Sequence, residues 1–303
     1  FGSRARGHAG RAHVLPLLLC SGMCRLWPAL LGAALSLARG EEEEGSCQAA
    51  GSCGSAGAAA GDYHWPNVRG LPGQYGVSNL TAPKDLSKPS WRWHHPKGQY
   101  HAVIVGGPVI DHEKNLYFSE QTGLRKMSPD GHVIWLAEPP PGQIFPDGPS
   151  IHAGGVFQTT TSGQLCKFAM DTGRLIWCQK YYPSVGGDSK YVTSHDGIII
   201  IGVDDPGGGG SKHVLAIHSE SGKLLWDFAP DTPTWNNMGM YTEDDTVVLQ
   251  DWDAKVYRLG LHNGSLLWKN GGHGGKTWSD GGTIIGANGI VYAAFSQGGE
   301  EKA

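Results

Sequence analysis

The sequence predicts an all-β protein, a β-propeller of four-stranded antiparallel blades, and three observations carry that prediction. A glycine followed four residues later by a tryptophan recurs as Gly131 and Trp135, Gly173 and Trp177, Gly222 and Trp226, and Gly264 and Trp268, at intervals of 42, 49 and 42 residues. A period of this length marks a stacked array of similar units. Within each unit a polar turn (SPDG, MDTG, SESG or HNG) separates two short apolar runs, the grammar of a β-hairpin in which glycine supplies the positive backbone angle. Forty-seven glycines and 17% charged residues among 303 fit a turn-rich sheet protein and not a helical one.

Taken in order, residues 1–38 read as a signal or targeting segment. The chain starts without methionine, and Met23 is an alternative start. From there a short basic head, the apolar run LWPALLGAALSLA and the small-x-small site Ser36-Leu37-Ala38 follow the plan of a secretory leader. An organelle transit peptide is the alternative, because the segment carries five arginines to residue 40 and no acid. The apolar run falls short of the roughly 20 residues that cross a bilayer, so no transmembrane span is expected in the mature chain. Residues 39–62 run from an acid cluster into Gly, Ala and Ser, too little apolar surface to offset ordering entropy, and are expected to be a disordered linker. Cys47 and Cys53 there either close a small disulfide or remain two linker thiols.

The propeller is assigned to 63–303. The segment up to Trp93 is expected to cross the array and supply outer strands to a blade, with Trp93, 42 residues before Trp135, as a degenerate copy of the repeated tryptophan. Blades are expected over 101–137, 149–180, 191–228 and 238–270, each with a second strand pair ahead of its hairpin, as in IIIIGVD and KHVLAI. The third unit carries its seven extra residues in the loop DDPGGGGSK, 204–212. A fifth begins at Thr283 and Ile290 and stops before its own Gly and Trp, so the expectation is four full blades plus partial ones, an array truncated at its C-terminus or a small five-bladed ring. A blade cannot bury both faces alone, and an aromatic ring that covers about 150–250 Å² is the natural wedge between neighbours.

These residues resemble the quinoprotein-like (PQQ-repeat) β-propeller superfamily, which includes pyrroloquinoline quinone dehydrogenases and BamB-like proteins. Its tryptophan-docking motif is A-x-D-x-x-T-G-K-x-x-W; Ala216, Ser221, Gly222, Lys223 and Trp226 fit it, while His218 stands where the acid is expected. The other copies carry Arg125, Lys167 and Arg258 in place of the opening Ala, and the stretch WPNVRGLPGQYGVS, 65–78, is similar to the first segment of such propellers. For the dehydrogenases the resemblance would imply a Ca-held quinone, an aspartate base and, in many members, a disulfide of adjacent cysteines. The chain has no adjacent Cys pair and no local motif onto which the Glu, Asn and Asp ligands can be placed. Trp235-Asn236-Asn237 and Asp251-Trp252-Asp253 match a central pocket only weakly. No catalytic, cofactor or metal residue is therefore assigned, and PQQ with Ca enters only under an alternative reading.

From Glu41 onward 19 basic residues face 28 acidic ones, a net charge of −9, which argues against a nucleic-acid footprint. Cys166 and Cys178 flank one hairpin at near-mirror positions; they could be bridged, and burial as two separate small side chains is the reading taken. Asn79 and Asn263 lie in glycosylation sequons, Asn263 in a hairpin turn. NGGHGGKT, from Asn270, lacks the first glycine and the helix that a phosphate loop needs. The acid clusters form no Ca loop, and the histidines, His94, His95, His101, His112, His152, His195 and His273 among them, read as surface or loop residues. The functional reading is a non-catalytic propeller that binds a protein or peptide on one face in a secretory or envelope compartment. Its alternatives are a quinone-dependent alcohol or sugar dehydrogenase and a secreted carbohydrate-binding propeller.

Overall fold

In a computed structural model the chain is described over residues 63–76, 81–99, 101–104, 106–184, 191–204, 210–236, 239–279, 282–286 and 289–297. The leader, the linker, Cys47, Cys53 and Asn79 lie outside these residues. The described residues contain strands and no helix, in the order and spacing the repeat requires. After a small hairpin of β1 (Gly70–Leu71) and β2 (Gln74–Tyr75) come four sheets of four strands. Blade 1 is β3 (Val109–Ile110), β4 (Leu116–Glu120), β5 (Gly123–Met127) and β6 (Val133–Ala137). Blade 2 is β7 (Ser150–His152), β8 (Gly155–Thr159), β9 (Gln164–Ala169) and β10 (Leu175–Lys180). Blade 3 is β11 (Thr193–His195), β12 (Ile198–Val203), β13 (His213–His218) and β14 (Leu224–Phe228). Blade 4 is β15 (Met240–Tyr241), β16 (Thr246–Gln250), β17 (Val256–Gly260) and β18 (Leu266–Asn270). Two short pairs follow, β19 (Thr277–Trp278) with β22 (Ser296–Gln297) and β20 (Ile284–Ile285) with β21 (Val291–Tyr292). Among the described residues no strand pairs the first sheet with the last, so the sheets do not close a ring.

The second strand of each blade is buried on both faces, and this explains the continuous apolar run: all six residues of Ile198–Val203 are buried. The core accordingly lies between blades. One cluster joins Tyr117, Leu124 and Trp135 to Ile151, Val156 and Phe168; a second joins Phe157 and Leu165 to Ile199, Ile201 and Leu215; a third joins Ile200, Ala216 and Trp226 to Val247, Tyr257 and Leu259. The seam after blade 4 is thinner, with Met240 and Val248 buried against part-exposed Val256, Ile285 and Val291.

Each fourth strand carries a register shift just ahead of its tryptophan, as between Leu175 and Trp177 or Leu224 and Trp226. A bulge bends the strand and re-aims one side chain. It leaves two aliphatics exposed in succession, Val133-Ile134, Leu175-Ile176, Leu224-Leu225 and Leu266-Leu267, and turns the indole toward the next blade. There Trp135 donates from Nε1 to Met170 O (3.0 Å) and Trp226 to Leu261 O (2.7 Å), while Trp177 donates to Glu220 O (3.1 Å). The turn glycine lies flat on the ring. A Cβ added at Gly173 or Gly264 would stand 2.7 Å from Trp135 or Trp226, and both glycines have φ near +70° or +66°.

Four expectations need correction. Trp91, not Trp93, fills the first docking position: its Nε1 donates to Pro129 O (2.8 Å), and Gly131 sits against its ring. Trp93 instead meets Phe118 edge-on at 5.3 Å and Arg125 at 5.2 Å. The constant spacing misled because this copy lies in 89–99, which forms no strand, so its tryptophan is not bound to strand register. Trp268 is 37% exposed, because no described turn reaches it. Cys166 and Cys178 are register partners and are joined as a disulfide rather than buried apart. His152 is buried, its Nε2 accepting the Gly197 amide at 2.9 Å, because the first strand of blade 2 packs against the turn of blade 3.

Candidate partner-binding face

Loops at the end of the blades opposite the glycine turns converge around blade 4. Asp251, which follows β16, organises the first of them. Its carboxylate accepts from Tyr257 OH (2.7 Å), the Thr232 amide (3.2 Å) and the Lys255 amide (2.8 Å). Burial pushes the Tyr257 phenol up, so it remains a donor. These bonds tie the 229–236 loop to the β16–β17 turn, and Trp252 N to Pro233 O (2.8 Å) completes the tie.

Two tryptophans are brought together as a result. Trp235 and Trp252 have ring centroids 5.4 Å apart, with planes tilted 31°. A Cβ at Gly210 would fall 2.4 Å from the Trp235 indole nitrogen, so the glycine-rich loop allows this ring to settle. Trp252 remains 41% exposed.

Asp253 holds the neighbouring loop. Its carboxylate accepts the amides of His273 (3.0 Å), Gly274 (2.9 Å) and Gly275 (2.9 Å) and the Thr277 hydroxyl (3.0 Å). Burial raises its pKa, but the hydrogen bonds from the Gly275 amide, the Thr277 hydroxyl and the His273 and Gly274 amides together outweigh this and leave it below the usual carboxylate value. Three amides turned toward one carboxylate account for the GGHGGKT stretch without a phosphate. The same loop sets His273 beside Phe295 (5.5 Å), and the Ser279 amide donates to Trp252 O (2.8 Å). Phe295 and Trp278 are 43% and 47% exposed.

A charged group borders the aromatics. Asp231 accepts from Lys255 and Lys269, whose hydrogen bonds lower its pKa. Beside it opens a cleft of about 330 Å³ lined by Lys212, His213, Ala229, Pro230 and Pro233. The arrangement offers flat apolar rings on a hydrogen-bonded frame with a charged rim. No nucleophile–base pair is formed among these residues.

The remaining sequence candidates lie elsewhere. Asn236 follows Trp235 on the same loop, with φ +44°. Asn263 is exposed at the opposite end of blade 4, its Oδ1 accepting the Ser265 amide at 3.0 Å. The Trp–Gly pairs form the seams. Trp235 and Trp252 stand 17 residues apart in loops outside the repeat motif, and only the two flagged stretches hinted at them. Where the first strands of blades 2 and 3 meet the N-terminal segment, the fully buried Asn67 accepts from Ser150 Oγ (2.8 Å) and Ser194 N (2.8 Å).

The family model described as outer membrane protein assembly factor BamB matches residues 120–299. Among solved structures the chain is similar to BamB from Moraxella catarrhalis, at 16% identity over 65% of this chain and 69% of that one, with a TM-score of 0.41. It is similar to a europium-containing methanol dehydrogenase at 13% identity over 64% of this chain and 48% of that one, TM-score 0.51. The quinohemoprotein alcohol dehydrogenase from Comamonas testosteroni is 17% identical over 79% of this chain and 46% of its own, also with a TM-score of 0.51. The chain thus spans about half the length of these two dehydrogenases. No curated protein sequence matches it.

Proposed function

The chain belongs to the outer membrane protein assembly factor BamB family, and from that membership we propose that it is a non-catalytic PQQ-repeat propeller that binds a protein or peptide. The observation that carries this reading is the aromatic face around Trp235 and Trp252, with Trp278 exposed on β19, Phe295 exposed on the adjoining loop and the lysines at its rim. Tryptophan in a fixed frame is the residue type on which interface energy concentrates. An extracytoplasmic location is part of the proposal, supported by the Cys166–Cys178 disulfide, since such bonds persist in oxidising compartments. Among the described residues no helix is long and apolar enough to cross a membrane.

The second reading, a quinone-dependent dehydrogenase, is favoured by the likeness to the two dehydrogenase folds. The residues where the first strands meet do not fit a Ca-held quinone. Asn67, Ser150 and Ser194 spend their polar atoms on one another and bring no carboxylate to that point.

Peptides selected from a display library against the intact protein provide the test. Trp252→Ala is expected to weaken their binding by at least about tenfold, in the range of interface hot spots, with the melting temperature unchanged. Selected peptides indifferent to Trp252→Ala and Trp235→Ala would remove this face from the reading. Dye-linked oxidation of an alcohol or aldose after incubation with pyrroloquinoline quinone and Ca would establish the alternative instead.

A further inference from the structure

On the end of the blades that carries the glycine turns, side chains from three turns converge at the seam between blades 3 and 4. Asp196 comes from the β11–β12 turn, Asp245 from the β15–β16 turn and His262 from the β17–β18 turn. One ligand atom of each lies within 4.8 Å of the other two. His262 Nε2 stands 3.6 Å from Asp196 Oδ2 and 4.0 Å from Asp245 Oδ1.

We propose that Asp196, Asp245 and His262 form a site for a divalent first-row transition ion, Zn²⁺ being the best fit, which clamps blade 3 to blade 4. Nitrogen and oxygen ligands bind such an ion at about 2.0–2.2 Å, so their mutual distances run from about 3 Å at right angles to about 3.5 Å in a tetrahedron. The observed 3.6 and 4.0 Å are within reach of that by small rotamer changes. One imidazole with two carboxylates favours Zn²⁺ over Ca²⁺ or Mg²⁺, which take oxygen ligands. The exposure of all three groups leaves the remaining positions to water.

Two further features separate this cluster from an ordinary surface pairing. Among the described residues neither carboxylate has a lysine or arginine within ion-pair distance, whereas Asp231, Glu120 and Glu220 all do. The corresponding places in other blades do not reproduce the set: the first turn carries Lys114 in blade 1 and Ala153 in blade 2, and the residue two before the turn glycine is Asp171 in blade 2 and Glu220 in blade 3. The turns that carry the ligands are also held in place by the fold. Leu261 N donates to Asp245 O (2.8 Å), one residue from His262, and Gly264 lies on Trp226 of blade 3. The turns therefore come together whether or not an ion is present.

Zn²⁺ alone, titrated calorimetrically into the intact metal-free protein, tests the proposal, with Co²⁺ as a spectroscopic stand-in. The expected result is one saturable site, a visible Co²⁺ spectrum of low coordination number, and a melting temperature that rises with Zn²⁺ but not with Ca²⁺. His262→Ala and, separately, Asp196→Asn should each weaken binding by at least about tenfold, the lower bound for residues that support a metal site, while His218→Ala on the same end of the blades leaves it intact. Absence of saturable Zn²⁺ binding to the wild-type protein, or binding unchanged in both variants, would overturn the assignment. If one variant fails to fold, the other variant and the wild-type Co²⁺ spectrum still decide.

Discussion

Trp226 shows what a single residue does in this fold. Its ring is 8% exposed, donates to Leu261 O and lies against Gly264. Truncation to alanine removes a buried aromatic from a packed seam, a loss of about 3–5 kcal/mol. Trp268 occupies the same register position, yet with its ring 37% exposed its truncation is expected to cost less than about 1 kcal/mol. Urea denaturation of Trp226→Ala and Trp268→Ala side by side checks both figures; equal losses would show that position in the motif, and not the turn of the next blade, sets the energy. His152 makes a second prediction at this scale. Burial, and after it His195, holds its pKa below the usual histidine value. Between that lowered value and about 6.5 the unfolded chain binds the extra proton, so stability is full above about pH 6.5 and declines as the pH falls through the folded value. Protonation also removes the acceptor of the Gly197 amide. Denaturation midpoints from pH 7.5 to 5 should fall for the wild type and fall less steeply for His152→Gln.

At the scale of strands, the residue opposite the tryptophan decides how a seam is filled. In blade 3 it is Ala216, as the docking motif asks. In blade 2 it is Lys167, whose amine crosses the seam to Glu220 at 2.8 Å and lies 5.6 Å from the Phe157 ring centre. In blade 1 it is Lys126, which reaches Met170 O at 3.2 Å. Arg125, placed there by counting back from Trp135, lies one residue out and pairs with Glu120 instead, because the β5–β6 turn is one residue shorter than its counterparts. A buried cation contributes little net stability when its partner is largely exposed, as Glu220 is. Lys167→Met is therefore expected to hold stability within about 1 kcal/mol of wild type, read from the urea midpoint. A larger loss would show that the amine's bridge to Glu220 joins these blades.

Across the whole molecule stability is graded along the array. The first three seams each bury a cluster drawn from two sheets, and among the described residues the seam after blade 4 buries only Met240 and Val248 of its group. Regions with few buried apolar contacts open first. Hydrogen exchange should run faster in β18, β20 and β21 than in β8, β12 and β16, and uniform protection would contradict a seam-by-seam origin of the core. The two sites argued above differ in how they sit on this gradient. The aromatic face spans blade 4 and the β19–β22 pair that follows it, while the His262 cluster lies over the well-packed seam between blades 3 and 4.

Periodicity alone determined the sheet class, the four blades and three of the wedging residues, Trp135, Trp177 and Trp226, because a glycine turn and an indole must recur at each seam and local hairpin chemistry fixes their spacing. The bounds of the third blade were legible for the same reason. Tertiary structure decided which tryptophan fills the first docking position, since Trp91 belongs to a segment without strand register. It decided the Cys166–Cys178 pairing, which turns on a register no spacing rule fixes. It also brought Trp235 to Trp252 and His262 to Asp196 and Asp245, groups 17 or more residues apart in sequence or in different blades. Such meetings depend on how one sheet stacks on the next, and that packing is carried by contacts between blades, not by any pattern within one of them.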